Sequence, residues 1–386
     1  MTRSESEVRR ARAYLNRVAE PPAPALCDLV TKVGPVRAAR LVSAGRVGER
    51  VAAETTARRL DDHSEADLAV IAALNGRLVI PEDEEWPEAA FSCFTTVAGQ
   101  ADERWRAPLA LWVRGRDRLD QLAERAVGVV GARAASAYGE HIAGDLGYGL
   151  AERGFVVVSG AAFGIDGAAH RGALAAGGRT VAVQGCGLDR AYPAAHATLL
   201  DQVADAGAVV SEYPPGVRPA RHRFLVRNRL IAALTAGTVM VEAGVRSGAR
   251  RTAAAAAALG RVVMAVPGPV TSASSAGCHL LLRDGQAVLV TRVAEVVEAV
   301  GRIGLDLAPP LSGPQRPTDG LSPDLSAVYE AFPARACRYP EQLARESGVP
   351  LDRVRAALPL LELQGLVECG SGGWYRVSGA TRRGGA

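Results

Sequence analysis

The sequence predicts an α/β protein: a doubly wound, mostly parallel sheet with a helical region before it and a winged helix after it. Three observations carry this. Seven short apolar runs recur, AVGVVG (126–131), FVVVSG (155–160), TVAVQG (180–185), AVVSE (208–212), TVMVEAG (238–244), VVMAVPG (262–268) and AVLVT (287–291). Strands buried on both faces read as such continuous runs, and their alternation with glycine turns and amphipathic helices makes the sheet parallel. A Pro- and Gly-rich stretch, GLDLAPPLSGPQRPTDGLSP (304–323), then reads as a linker. Beyond it, residues 326–331, 339–347 and DRVRAALPLLELQGLVE suggest three helices and GSGGWYRV a closing hairpin, the order of a winged helix-turn-helix.

The expected organisation follows the chain. Residues 1–75 form a helical N-terminal domain, with short helices between about 8 and 60 broken at Pro21-Pro22-Ala23-Pro24 and Gly34-Pro35. Residues 76–303 form the sheet domain, with a connector at 76–125 (LVIPEDEEWPEAAF, LALWVRG) that is partly extended and a core at 126–303. The linker is 304–323, the winged helix 324–378 and a tail 379–386.

A chain of 386 residues suggests two or three domains at roughly 150 residues each. Its 48% hydrophobic and 22% charged residues suit a globular protein with a large core. No stretch reaches the ~18 uncharged apolar residues of a membrane helix, so no membrane insertion is expected. The first twenty residues are charged throughout and lack an export core. Six dispersed cysteines (Cys27, Cys93, Cys186, Cys278, Cys337, Cys369) form no CxxC pair, which argues against a disulfide framework or a zinc finger. A cytoplasmic protein is the expectation.

Lys32 is the single lysine among 45 basic residues, so arginine carries the positive charge. Much of that excess, like the abundant Ala and Gly, reflects GC-rich coding. Its distribution is more informative. The net charge is −1 over residues 1–125, +5 over 126–305 and zero over 306–386. An anionic partner should therefore meet the middle segment.

Four loops at expected strand ends hold the unusual residues, where open α/β sheets bind ligands. In Gly131-Ala132-Arg133-Ala134-Ala135-Ser136, Ser136 can cap a helix whose N-terminus attracts phosphate, and Arg133 can pair with the same anion. The bland alternative is a tight turn with a solvent-facing Arg133. In Ser159-Gly160-Ala161-Ala162-Phe163-Gly164-Ile165-Asp166, glycine permits close backbone approach. Asp166 and His170 stand four apart but lack a third metal ligand, so a capping Asp and a hydrogen-bonded core His are expected, with no metal. The Gly185–Pro193 loop reads as scaffold.

The strongest signal lies between 218 and 251, where eight arginines and one acid, Glu242, give +7. Its centre, Arg221-His222-Arg223-Phe224-Leu225-Val226-Arg227-Asn228-Arg229, interleaves charge with one aromatic. Backbone-tracking arginines with a stacking platform suit single-stranded nucleic acid. The alternative is a solvated helix face with Phe224 in the core. Downstream, Ser247, Gly248, Arg250 and Thr252 supply a hydroxyl-bearing, N–H-bearing loop suited to phosphate. No Ser–His–Asp order, paired carboxylates or P-loop appears, so binding is favoured over catalysis.

Together these motifs resemble the DNA-processing protein A family (DprA, also called Smf). The segments are VGVVGARAASAYG, VVVSGAAFGIDGAAH, TVAVQGCGLDRAYP, VVSEYPPG, FLVRNRLIAAL, VEAGVRSGARRTAAAAAALGR and VMAVPGPV, in order. The resemblance implies an extended Rossmann-like domain without a nucleotide cofactor, a SAM-like N-terminal module, and a homodimer. It implies a recombination mediator that binds and protects single-stranded DNA and loads the RecA recombinase onto it during natural transformation. The family's Gly-Ser/Thr-Arg phosphate motif falls on Gly131, Ala132 and Arg133, and its F-x-x-R-N-R segment on Phe224, Arg227, Asn228 and Arg229, with Arg221 or Arg223 upstream. Three positions depart from the pattern: Ala132 lacks the hydroxyl, Leu225 replaces proline, and Arg250-Arg251 replaces an apolar pair.

Two rival readings remain. One is a nucleotide-cleaving enzyme resembling phosphoribohydrolases, whose PGGxGTxxE loop carries a catalytic glutamate; EAGVRSGARRTAAAA has alanine there. The other is a winged-helix transcription regulator, but Asp352, Arg353, Arg355 and Glu362 leave its recognition segment with no net charge.

Overall fold

The seven apolar runs become seven parallel strands at the heart of a nine-stranded sheet in a computed structural model that describes residues 3–97, 104–310 and 316–377. In chain order the strands are β1 (Gly76–Val79), β2 (Leu111–Arg114), β3 (Ala126–Val130), β4 (Val156–Ser159), β5 (Thr180–Gln184), β6 (Ala208–Ser211), β7 (Gly237–Met240), β8 (Val262–Ala265) and β9 (Val288–Leu289). Their spatial order is β1-β2-β6-β5-β4-β3-β7-β8-β9. Strands β3 to β9 pair in parallel, while β2 runs antiparallel to β6 and β1 to β2. The connector thus supplies two regular strands, β1 at the sheet's edge and β2 inside it, where the sequence suggested only partly extended chain.

Alternation along the strands builds a core on each face. Val127, Val129, Val157 and Val239 pack under the helices Ala137–Glu152 and Ile165–Ala175. Val156, Val158, Val181, Val183 and Val210 face the other way, under the helices Arg221–Ala233 and Ala249–Ala258. The chain winds outward from β3 through β4, β5 and β6, then crosses back along the helix Arg221–Ala233 to β7 on the other flank of β3. Neighbouring strands β3, β4 and β7 therefore diverge into a crevice at their carboxyl ends, the place where such sheets take ligands.

The chain divides into two compact units, Met1–Ala308 and Pro309–Ala386. The first includes five N-terminal helices, Arg3–Val18, Pro24–Val33, Pro35–Ser43, Glu49–Thr55 and Ser64–Ala73, interrupted at both proline signals. Buried polar contacts fasten them to the sheet. Trp112 Nε1 donates to Asn16 Oδ1 at 2.7 Å, and Asn16 Nδ2 donates to the Glu212 carbonyl at 2.9 Å.

The second unit is a winged helix. Helices Pro323–Glu330, Pro340–Ser347 and Leu351–Leu363 precede the antiparallel hairpin β10 (Val367–Gly370) and β11 (Gly373–Arg376). Val328, Phe332, Leu343, Val354, Leu358 and Leu361 form its core. Part of the expected linker (311–315) and the tail (379–386) lie outside the described residues. No described helix is long and apolar enough to cross a membrane.

Candidate nucleic-acid interface

The crevice holds a cavity of about 130 Å³. Gly131 and Arg133 reach it from the β3 loop, Phe224, Arg227 and Asn228 from the basic helix, and Ser247 and Gly248 from the loop after β7. Seven residues singled out from three distant motifs therefore converge.

Arg227 is the unusual member. Its side chain is buried, yet among the described residues its one hydrogen bond is a 3.5 Å contact from Nη2 to the Gly160 carbonyl, and Nε has no partner there. Among the described residues no carboxylate lies within ion-pair distance of it. Burial pulls its guanidinium down to about 10, Asp166 opposes the fall and Arg133 adds to it. Below that value Arg227 stays charged, so the crevice contains a dry and poorly neutralised cation. Burial pushes the carboxyl of Asp166 up from its usual range, against the pull of Arg227. The Asp166 Oδ2 instead accepts from the Gly160 and Ala162 amides at 3.2 and 3.4 Å. Gly160 is required here, since a Cβ would stand 1.7 Å from Arg227 Nη1.

Arg133 is exposed on the opposite lip. Its guanidinium lies 5.6 Å from the Phe224 ring centroid, and that of Arg227 lies 5.8 Å away. Phe224 itself stacks on Tyr192, with centroids 4.9 Å apart at 29°. The Gly185–Pro193 loop, read as scaffold, thus braces the aromatic platform. Arg221, at the first position of the helix, is exposed and has no ion pair among the described residues.

Six expected contacts are corrected. The Ser136 amide and hydroxyl donate to Glu242 at 2.9 and 2.6 Å, so a carboxylate already fills the helix N-terminus expected to hold phosphate. Ser274 Oγ donates to the same carboxylate at 3.1 Å, and Gly139 is needed because a Cβ would come within 2.3 Å of it. Ser159 is fully buried and donates to the Val129 carbonyl at 2.6 Å. Gly160 gives its amide to Asp166 rather than to the crevice. Arg223 turns away to Glu20, at 2.7 and 3.2 Å. Arg229 is buried in a two-pronged pair with Glu212, both bonds 2.7 Å. Arg250 folds onto the Val245 carbonyl at 2.8 Å and does not line the cavity.

Glu242 was legible only as the lone acid of the basic stretch. It serves as an internal anion that fixes the Arg133 loop, since its carbonyl also accepts from the Ala132 amide at 2.7 Å. His170 is a core residue: Nδ1 sits 2.7 Å from Thr180 Oγ1, and burial drops its pKa to about 3, which keeps it neutral. No cluster of three or more His, Cys, Asp or Glu fit to hold a metal occurs among the described residues.

A doubly wound sheet whose switch-point crevice gathers guanidinium groups without an ion pair among the described residues, beside an aromatic ring, defines a Rossmann-like class. The family model described as DNA recombination-mediator protein A matches residues 77–301, and the DprA winged helix domain matches 312–373. A Mycobacterium tuberculosis protein bearing the name DprA is 54% identical over 365 residues, covering 95% of this chain and 93% of that one. Protein Smf of Escherichia coli K12 is 38% identical over 277 residues, 70% of this chain and 72% of that one. The X-ray structure of DNA processing protein A from Streptococcus pneumoniae superposes with a TM-score of 0.60 at 30% identity, covering 77% of this chain and 97% of that one. The chain belongs to the DNA recombination-mediator protein A (DprA/Smf) family.

Proposed function

We propose that the chain binds single-stranded DNA in the switch-point crevice, with Arg133 and Arg227 seating a backbone phosphate and Phe224, Asn228, Ser247 and Gly248 shaping the site around it. The observation that carries this reading is Arg227, a buried cation with one long hydrogen bond and no ion pair. A phosphate would supply the missing charge and acceptors, and a charge-assisted bond in a dry site is among the stronger polar contacts. Arg221 extends the positive lip toward the next phosphate.

Family membership supports the rest of the reading. The chain protects the bound strand and loads a RecA-type recombinase onto it as a cytoplasmic homodimer that serves DNA uptake and recombination. It acts by binding, not by cleaving nucleotides, because alanine stands where a phosphoribohydrolase loop carries its glutamate. The winged helix is not the DNA reader on this view. Its third helix has no net charge, and Arg353 and Arg355 are paired with Asp324 at 3.3 Å and Glu341 at 2.8 Å.

The test is fluorescence anisotropy of a labelled mixed-sequence oligonucleotide, single-stranded against duplex, across a salt series. Tighter single-strand binding that weakens steeply with salt is expected. Equal affinity for the two forms, or no binding, would refute the reading.

A further inference from the structure

A second cavity, of about 450 Å³, lies directly beside the first. Leu225 lines both, so the basic helix forms a ridge one side chain wide between them. The second cavity is apolar at its walls, from Leu225, Val226, Ala254 and Ala255, and Trp105 closes it from the connector. Arg104, His222 and Arg251 also line it, all three exposed. Arg104 lies 5.7 Å over the Trp105 ring. Arg251 is exposed and has no ion pair among the described residues. Among the described residues no acid lines the cavity; Glu20, 3.3 Å from His222, is paired with Arg223 at 2.7 Å and Arg58 at 3.1 Å.

We infer that this cavity is a second nucleotide subsite, which takes an unstacked base from the strand whose phosphate is held in the crevice. The inference rests on the proposed function and extends it to a second cavity on the outer side of the basic helix. A base needs a flat, apolar slot with an aromatic wall, and its sugar-phosphate needs cations at the mouth. Trp105 supplies the wall, and the exposed Arg251 supplies charge at the mouth. A guanidinium can also lie flat on a base. A strand anchored in the crevice presents its next nucleotide to this cavity at high effective concentration, so even a weak slot adds to affinity. An acidic peptide would meet the same rim, but nothing would tether it next door.

The experiment uses the full chain and two labelled strands of equal length, one with bases and one an abasic deoxyribose-phosphate polymer. Wild type is expected to bind the base-bearing strand more tightly. Trp105→Ala should weaken that binding about 5- to 150-fold, the range of one aromatic–base stack, and leave the abasic strand unaffected. Trp105→Phe should keep most of the preference. Arg251→Ala, at an exposed position that does not threaten folding, should lower the single-strand salt slope by about 0.7.

Equal losses on both strands would make Trp105 merely structural and overturn the inference. Unchanged binding in Trp105→Ala and an unchanged slope in Arg251→Ala, while Arg133→Ala still weakens both strands, would assign the cavity to another ligand such as an acidic peptide. Unchanged binding in Arg133→Ala as well would defeat the functional reading itself.

Discussion

The helix Arg221–Ala233 presents arginine to two different worlds. Arg223 meets Glu20 and Arg229 meets Glu212, so each of these guanidinium groups arrives with a carboxylate in place. On its crevice face, Arg227 is just as buried as Arg229 but has no such partner. A single residue, Asn228, separates Arg227 from Arg229, and the helical turn sends them to opposite faces and opposite roles. Burial opposes both charges; Glu212 overcomes it and holds Arg229 above its ordinary value, whereas Arg227 falls to about 10. A count of positive charge does not tell these arginines apart; a count of the charges already paired does.

That contrast can be broken most sharply at Arg229. Arg229→Ala strands the Glu212 carboxylate in the interior and should cost about 3–5 kcal/mol in urea denaturation. The double change Arg229→Met with Glu212→Leu should recover most of that loss, because it removes both charges. On the other face the sign reverses. Arg227→Met should raise stability by about 1 kcal/mol in the same measurement, since it removes a poorly paired buried cation. It should also weaken single-strand binding by at least tenfold in anisotropy. Arg133→Ala, at an exposed position, should leave stability unchanged and lower affinity about 10- to 150-fold, the value of one or so hydrogen bonds to a charged group. If Arg227→Met destabilised the fold as Arg229→Ala does, the two faces would not differ as described.

A third contrast is between these charges and a buried neutral base. His170 has a folded pKa near 3, below the unfolded value of about 6.5, so only the unfolded chain takes up the proton in between. Its contribution is present above about pH 6.5 and fades as pH falls toward 3, amounting to about 2 kcal/mol between pH 7 and pH 5. Denaturation of wild type and His170→Gln at both pH values should show a smaller pH dependence in the variant. The smallest effect belongs to the winged helix. Arg353→Ala and Arg355→Ala break exposed pairs and should shift stability by less than about 0.5 kcal/mol. Single-strand affinity should change less than twofold; a larger drop would bring that domain into the DNA path.

Local signals were legible and distant ones were not. Val156-Val157-Val158 and its six counterparts announce strands because a segment buried on both faces must be apolar throughout. Strand β1 (Gly76–Val79) hid in the connector, since four residues ending before Pro81 carry little pattern of their own. Within the site, Phe224, Arg227 and Asn228 could be read from one contiguous run. The fate of Arg223 could not, because Glu20 lies 203 residues away along the chain. Nor could that of Ser136, which is claimed by Glu242 from a distance of 106 residues. Sequence names the cations; only the fold tells which of them have already been answered.

Glu242 carries one more consequence. Rossmann-like folds ordinarily leave a helix N-terminus open for a small phosphate ester, and cells are full of such esters. Here the seat at the head of the helix Ala137–Glu152 is taken by a competitor tethered to the chain, which no dialysis or dilution can remove. On the proposed reading, a mononucleotide would find that seat filled, whereas a strand could still add contact to contact across the crevice and its neighbouring cavity.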